Sequence, residues 1–340
     1  MSLTVTIESN ASTFTTLQAD WTHLLERACT NTIFQTPQFL SCWWEALGFG
    51  TLQIVVVRDE AGTLRGIAPL FVEPTNTGQL QLNFVGCVNV SDYLDVIVDR
   101  EFEKEVYTAL FEAIRTQIKF DQFFFCSIPE QSPTRQYIHT FFQSVQETIQ
   151  DCTPQILLPT SWETYLQSLQ RKQRHEIQRK WRRLSELDHH FSLIEDKPTA
   201  TTAVEEFIML HRASSQEKND FWNDAHLLFF TKFIPLAAEW RWLKLFFLEI
   251  EGKRVASMLI FDYANHYNLY NSGFLPDHYK EVGTGATLTA YTIKHAIEQQ
   301  RTIYDFLRGG EGYKLRLGAV VKNVYDLSFQ KTPTVLSNQQ

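Results

Sequence analysis

The stretch HYNLYNSGFLPDHYKEVGTGATLTAYTIKHAIEQQRTIYDFLRGGEGYKLRLGA, from His266 to Ala319, is the one around which the rest of the chain can be read. It reads as a strand, a glycine-bearing connection, a helix, a second strand and a polar turn dense in ionisable groups. In α/β proteins that order commonly seats a phosphorylated cofactor beside a reacting centre. Glycines let the backbone approach a pyrophosphate, and the unsatisfied N–H groups of the first helical turn then point at it. Here the connection is Lys280-Glu281-Val282-Gly283-Thr284-Gly285-Ala286. A flexible loop with one glycine at a tight turn is the competing reading of an isolated G-x-G.

Working outward, 340 residues exceed what one core usually organises. Two domains of about 150 residues are expected, divided as 1–155 and 156–335. With 44% hydrophobic and 21% charged residues the chain is a compact globular protein rather than a disordered one. Its net charge of −8 argues against general nucleic-acid binding, so any anion site must be local. Cys29, Cys42, Cys87, Cys126 and Cys152 are an odd number with no C-x-x-C pair and read as reduced core residues. His189-His190 shares no helix face, and no metal site is expected. The first residues lack a basic segment followed by an apolar run, and no window approaches about 18 uninterrupted apolar residues. A cytoplasmic protein without a transmembrane segment is the simplest expectation, and the sequence leaves the oligomeric state open.

The first half predicts a helix over 14–28, a second from Pro37 to Gly48, a hairpin of 52–59 and 63–73 around Glu60-Ala61-Gly62, strands at QLQLNFVG and 93–99, a helix over 101–119 and a strand at 122–128. The second half repeats this plan. Strands 243–250 and 254–263 flank Glu251-Gly252-Lys253, then 267–274 corresponds to the strand around Val96, the helix 286–300 to 101–119, and 302–307 to 122–128. Two similar units in tandem are indicated, and in the first the strand-to-helix connection, Asp99-Arg100-Glu101, has no glycine.

The stretch resembles the GNAT superfamily, whose acyl-CoA loop reads Arg/Gln-x-x-Gly-x-Gly/Ala; Lys280-x-x-Gly283-x-Gly285-Ala286 fits apart from its lysine. It looks more closely like the CelD-like or BioF2-like acetyltransferase branch, related to Fem-type transferases. The segments that carry this likeness are 171–184, 270–288 and 304–319, with SDYLDVIV (91–98) a fainter echo. The resemblance implies an α/β fold of two tandem GNAT-like units, each a mixed, mainly antiparallel sheet flanked by helices. It implies acetyl-CoA or another acyl-CoA as co-substrate at Lys280, Val282, Gly283, Thr284, Gly285 and Ala286. The implied reaction is direct attack by an amine in a ternary complex, the acceptor being a small molecule or saccharide such as an amino sugar or polysaccharide precursor. Fem-type relatives use aminoacyl-tRNA instead, and a non-catalytic binding protein of an exopolysaccharide pathway would keep the fold without turnover.

Such chemistry needs a base for an amine of pKa near 10, donors for the carbonyl oxygen and a proton for the leaving thiolate. The densest source of candidates is Asp305, Arg308, Glu311, Tyr313, Lys314 and Arg316. Asp305 is either a base turned toward the cleft or an ion-pair partner of Arg308 or Arg316. Tyr313 either protonates the thiolate or caps the core. Lys314 and Arg316 alternate on an expected strand, facing either an anionic substrate or solvent. The resemblance places an acceptor channel between the units and makes Asp92 and Asp95 further catalytic candidates. A helix from Ser161 to Leu184 carries seven lysines and arginines. Arg179 and Arg183 on it either contact an anionic substrate or form a solvated face. His211 is either a satisfied helix histidine or a lining residue of the substrate site.

Overall fold

The computed structural model describes residues 2–87 and 90–331. By contacts the chain divides into Met1–Gln150 with Asn323–Gln340, and Asp151–Lys322. The boundary expected at 155/156 thus lies at 150/151, and the chain after 322 returns to the first unit. Residues 332–335, expected in the second unit, lie outside the described residues.

In chain order the first unit contains β1 (Leu3–Glu8), α1 (Thr13–Thr16), α2 (Gln18–Arg27), α3 (Pro37–Leu47), β2 (Thr51–Asp59), β3 (Leu64–Pro74), β4 (Leu80–Phe84), β5 (Ile97–Val98), α4 (Glu103–Gln117), β6 (Gln122–Pro129) and α5 (Thr134–Phe141). β7 (Gln146–Leu157) leads into the second, with α6 (Trp162–Ser168), α7 (Arg171–Leu184), β8 (His189–Ile194), α8 (Lys197–Ser214), α9 (Gln216–Asp220), α10 (Asp224–Glu239), β9 (Leu243–Ile250), β10 (Lys253–Tyr263), β11 (His266–Phe274), α11 (Thr284–Glu298), β12 (Ile303–Asp305) and α12 (Gly312–Arg316). β13 (Val320–Gln330) completes the described chain.

In the first unit the strand order is β1-β2-β3-β4-β6-β13, and in the second β8-β9-β10-β11-β12-β7. Each order contains one parallel pair, β4 with β6 and β11 with β12, and the other pairs given are antiparallel. Each unit is therefore mixed and mainly antiparallel, as expected. The correspondence differs in one element: the counterpart of β11 is β4, not a strand around Val96. Of the strand expected over 93–99 only Ile97–Val98 forms. Asp95 turns inward instead, where its carboxylate accepts from the hydroxyls of Thr30 and Thr134 and from Val96 N–H.

In the second unit the central strands are nearly continuous apolar runs because helices cover both faces. In β10, every residue from Val255 to Phe261 is buried. Gly273 shows how closely α8 lies on β11, since a Cβ there would meet the His211 backbone nitrogen at 2.4 Å. The helix expected from Ser161 to Leu184 is broken, because Leu169 is extended and buries its side chain against Gly318. Cys87 and Cys126, expected to be reduced, are joined as a disulfide with Cα atoms 6.0 Å apart, and Cys29, Cys42 and Cys152 lie outside it. The parallel register Asn83↔Phe124 brings the ends of β4 and β6 side by side and makes that bridge possible.

The β5–α4 connection is held by charge. Asp99 is 1% exposed, and its Oδ2 accepts from Arg27 Nε at 2.7 Å and Arg65 Nη1 at 2.8 Å. Burial would raise this carboxyl, but the two arginines outweigh it and hold it below the usual range. The pair therefore stabilises the unit above the ordinary carboxylate pKa near 4 and loses that contribution as pH falls through and below it. Asp99→Asn should cost about 2 kcal/mol at pH 7, discounted because Arg27 stays partly hydrated. Urea titrations of both proteins between pH 7 and pH 3 check this: their difference should shrink on acidification, and a pH-independent difference would refute the assignment.

Candidate active site

The site begins where two strands part. β11 and β12 pair only through His266↔Ile303, Tyr267↔Tyr304 and Asn268↔Asp305. Beyond Asn268, β11 runs on to Phe274 while the chain after Asp305 turns away. Asp305, 1% exposed, holds that turn: its Oδ1 accepts from Leu307 N–H at 2.7 Å, and its Oδ2 accepts from Gln155 Nε2 on β7 at 2.7 Å. Leu307 itself lies in the left-handed region with φ 56°. Lys314, 3% exposed, donates to the carbonyls of Phe306, Arg308 and Gly309 at 3.3, 3.0 and 2.9 Å, and pairs with Glu311 at 2.8 Å.

The strand expected to carry Lys314 and Arg316 is instead the helical turn α12. That turn buries Lys314 under the carbonyls it binds and leaves Arg316 exposed, so the two do not share a substrate-facing surface. Asp305 likewise does not line the cavity described below, and its carboxylate serves the turn.

Beyond that parting, one edge of β11 has no strand partner among the described residues. Leu275 N–H donates to Val255 O at 3.0 Å, so in the register that pairs Ser257 with Gly273, alternate peptides face β10. Ser272 and Phe274 then turn their main-chain groups the other way. Side chains from α8 and α9 meet that edge. Phe274 N–H donates to Ser214 Oγ at 2.8 Å, and the Lys218 ammonium donates to the Ser272 carbonyl.

A cavity of about 440 Å³ follows this edge. One wall is apolar, with Met258, Phe274, Leu275 and Pro276; a second is the turn Gly283–Ala286; and Lys218, Ser272, Glu311 and Tyr313 supply polar groups. Gly283 caps α11 in the left-handed conformation, φ 61° and ψ 65°. The first backbone bond after it within the helix is Thr287 N–H to Gly283 O at 3.0 Å, so the N–H groups of Thr284, Gly285 and Ala286 project from the helix end. Gly285 is pressed on β11, where a Cβ would lie 3.2 Å from the Phe274 ring. The arrangement offers an anion seat, an apolar trough and polar groups along one surface.

Of the expected loop residues, Gly283, Thr284, Gly285, Ala286 and Lys280 line the cavity, whereas Val282 is buried in the core behind it. Lys280 is exposed and pairs with Asp277 at 2.9 Å. α7 packs beside the same turn: Lys180 Nζ lies 2.6 Å from where a Gly283 Cβ would be, and Arg183 donates to the Glu281 carbonyl at 3.2 Å. Arg179 pairs with Glu176 at 2.7 Å on the exposed side. The basic helix thus adjoins the glycine turn.

Tyr313 keeps its proton more tightly than a free phenol, chiefly through burial and also beside Glu311. His211 is lowered to about 4, first by burial and then by the Lys218 charge. Its Nδ1 accepts from Trp222 Nε1 at 3.0 Å, which leaves Nε2 to donate to Asn271 Oδ1 at 3.1 Å. It is a neutral, satisfied histidine behind β11 and does not line the cavity. Arg308 is half-buried in the turn after β12. Asp92 and Asp95 belong to the first unit and are buried there; Asp95 is raised to about 6 by burial, against the pull of its hydroxyl donors. Lys218, Ser214 and Ser272 had no signal in the sequence, because SSQEKND reads as a solvated helix end and only the register of β11 turns Ser272 toward the cavity.

Among the described residues no group of three or more His, Cys, Asp and Glu side chains is placed to hold a metal ion. No helix among them is long and apolar enough to cross a membrane.

Residues 171–315 match the family model described as acetyltransferase (GNAT) domain. The segment is thereby similar to a GNAT acetyltransferase domain, which supports a transferase. No curated protein matches the sequence. Among solved structures, FemX is similar over 97% of this chain and 97% of its own, with TM-score 0.69 and 10% identity. A conserved protein of unknown function from Bacteroides thetaiotaomicron VPI-5482 covers 96% and 100% at TM-score 0.59 and 13% identity. L-PGS from Bacillus licheniformis covers 93% and 93% at TM-score 0.57 and 12% identity. At these identities the likeness is one of fold.

If Lys314 is the clamp of the turn, Lys314→Met should lower stability by about 3 kcal/mol, since charged hydrogen bonds to buried carbonyls are lost together. Denaturant unfolding measures this. A variant of unchanged stability but weakened substrate binding would return Lys314 to a substrate-contacting role.

Proposed function

We propose that the second unit binds acetyl-CoA or another acyl-CoA and transfers its acyl group to an amine by direct attack. The observation that carries this reading is the cavity that joins the glycine turn of α11 to Tyr313 along the unpaired edge of β11. Its parts suit the donor in sequence. The N–H groups of Thr284, Gly285 and Ala286 suit a pyrophosphate, with Lys180, Arg183 and Lys280 supplying positive charge in an acidic protein. Met258, Phe274, Leu275 and Pro276 suit the pantetheine arm.

In the proposed reaction the free amine attacks the thioester carbonyl carbon, and a carbon–nitrogen bond forms as the oxygen takes up the negative charge. Ser272 N–H, facing the cavity edge, donates to that oxygen. The intermediate collapses with rupture of the carbon–sulfur bond. Glu311, on the cavity wall and partly exposed, accepts the proton lost by the amine, directly or through water. Tyr313, whose proton is firmly held, donates to the departing thiolate. Asp305, Lys314 and His211 hold the surrounding turn and strand. We assign the chain to the CelD-like or BioF2-like branch on its three sequence segments, with an amino sugar or polysaccharide precursor as acceptor.

Titration calorimetry of acetyl-CoA into the wild type and into Gly285→Asp tests the donor seat. An acidic residue in the first turn favours the helix, and the Phe274 ring 3.2 Å from the new Cβ need give by only a few tenths of an ångström, so the variant should fold. It should nevertheless bind acetyl-CoA at least about tenfold more weakly, about 1.4 kcal/mol, by repelling the phosphates. A phosphate-free acyl-pantetheine thioester should bind both alike. No binding by the wild type, or equal binding of acetyl-CoA by both, would refute the reading.

A further inference from the structure

Lys218 is a cation placed in the wall of the reaction cavity with no carboxylate within ion-pair distance among the described residues. Its ammonium donates to the Ser272 carbonyl, with Ser272 Oγ at 3.5 Å. Glu311 lines the same cavity but pairs with Lys314 at 2.8 Å. Water is largely withheld from Lys218, and burial lowers its proton affinity while Glu311 and Glu217 oppose that at longer range. His211 nearby is neutral and gives it no counter-charge. A desolvated, unpaired ammonium costs stability, and the cost is offset where negative charge develops in the same space.

The location fixes what that charge is. Lys218 sits on the edge of β11 at Ser272, the residue whose N–H and C=O both face away from β10. One peptide N–H and one ammonium therefore converge on the same short length of strand. Phe274, the next residue with that orientation, has its N–H taken by Ser214 Oγ at 2.8 Å, so it adds no free donor. Tyr313 and Glu311 complete the wall around this point.

We infer that Lys218 is a catalytic residue that stabilises, together with Ser272 N–H, the oxyanion formed when an amine attacks the thioester. This rests on the acyl-CoA reading above. As the carbon–nitrogen bond forms, the carbonyl electron pair moves to oxygen beside Lys218. When the carbon–sulfur bond breaks, the pair returns to form the amide carbonyl, and the sulfur leaves with the electrons of its bond. Lys218 keeps its proton throughout, and its charge acts only while the oxygen is negative.

The test uses the full chain, acetyl-CoA as donor and hydroxylamine as a small generic amine, with thiol release as the readout. Lys218→Met should lower kcat about 10²-fold, the usual effect of losing one oxyanion donor, while calorimetric affinity for acetyl-CoA is unchanged. Lys218→Gln keeps a donor for the Ser272 carbonyl but no charge, and it should lose kcat comparably. Melting curves confirm that both variants are folded. Full activity in Lys218→Gln would assign Lys218 a purely structural bond to Ser272 and overturn the inference. Unchanged kcat with a raised KM for hydroxylamine would overturn it in favour of an acceptor contact. Absence of acetyl-CoA binding and thiol release by the wild type would instead overturn the donor reading, a result distinct from normal turnover in the variants.

Discussion

The separation of β12 from β11 after Asn268 and Asp305 is the constraint on which the site depends. Were the two strands paired throughout, the main-chain groups of Ser272 would be spent in the ladder and no space would open between α11 and the turn after β12. Two buried charged residues maintain the separation. Asp305 fixes the second residue after β12 through Leu307 N–H, and Lys314 gathers the carbonyls of Phe306, Arg308 and Gly309. Each is nearly inaccessible to water, so leaving either without its partners would be costly. Their polarity shapes the backbone that surrounds the chemistry.

The first unit uses the same strand plan differently. β4 and β6 pair in parallel through Gln81↔Gln122, Leu82↔Phe123 and Asn83↔Phe124, as β11 and β12 do. The connection from β4 to α4 is longer, however, and passes through β5 and the buried Asp95 before Asp99 meets its two arginines. In the second unit the connection from β11 to α11 is short and ends in Gly283, with open N–H groups behind it. One topology thus closes its connection with buried polar groups in one unit and leaves a helix end available to an anion in the other.

Much of this was legible in the residues. The hairpins around Gly62 and Gly252, the amphipathic α4 and the glycine turn before α11 all follow local rules of pattern and turn chemistry. The strand at 93–99 failed because Asp95 is satisfied by Thr30 and Thr134, which are distant in sequence. Leu169 broke a helix whose periodicity continued through it, because its side chain is drawn into the core. Lys314 and Arg316 alternate in sequence, but helical geometry buries one and exposes the other. Lys218 and Ser272 carry no motif; their proximity follows from strand register and from how α8 and α9 lie on β11. Local pattern revealed the glycine turn, whereas the placement of Lys218 and Ser272 on the cavity required tertiary structure.

Amide hydrogen exchange with and without acetyl-CoA reads individual N–H groups along the cavity and so shows whether the donor lies on the glycine turn and the edge of β11. Slowed exchange is expected at Ser272, Thr284, Gly285 and Ala286 on addition of acetyl-CoA. Bound acetyl-CoA that leaves these amides unprotected, with protection confined to the first unit, would contradict that placement.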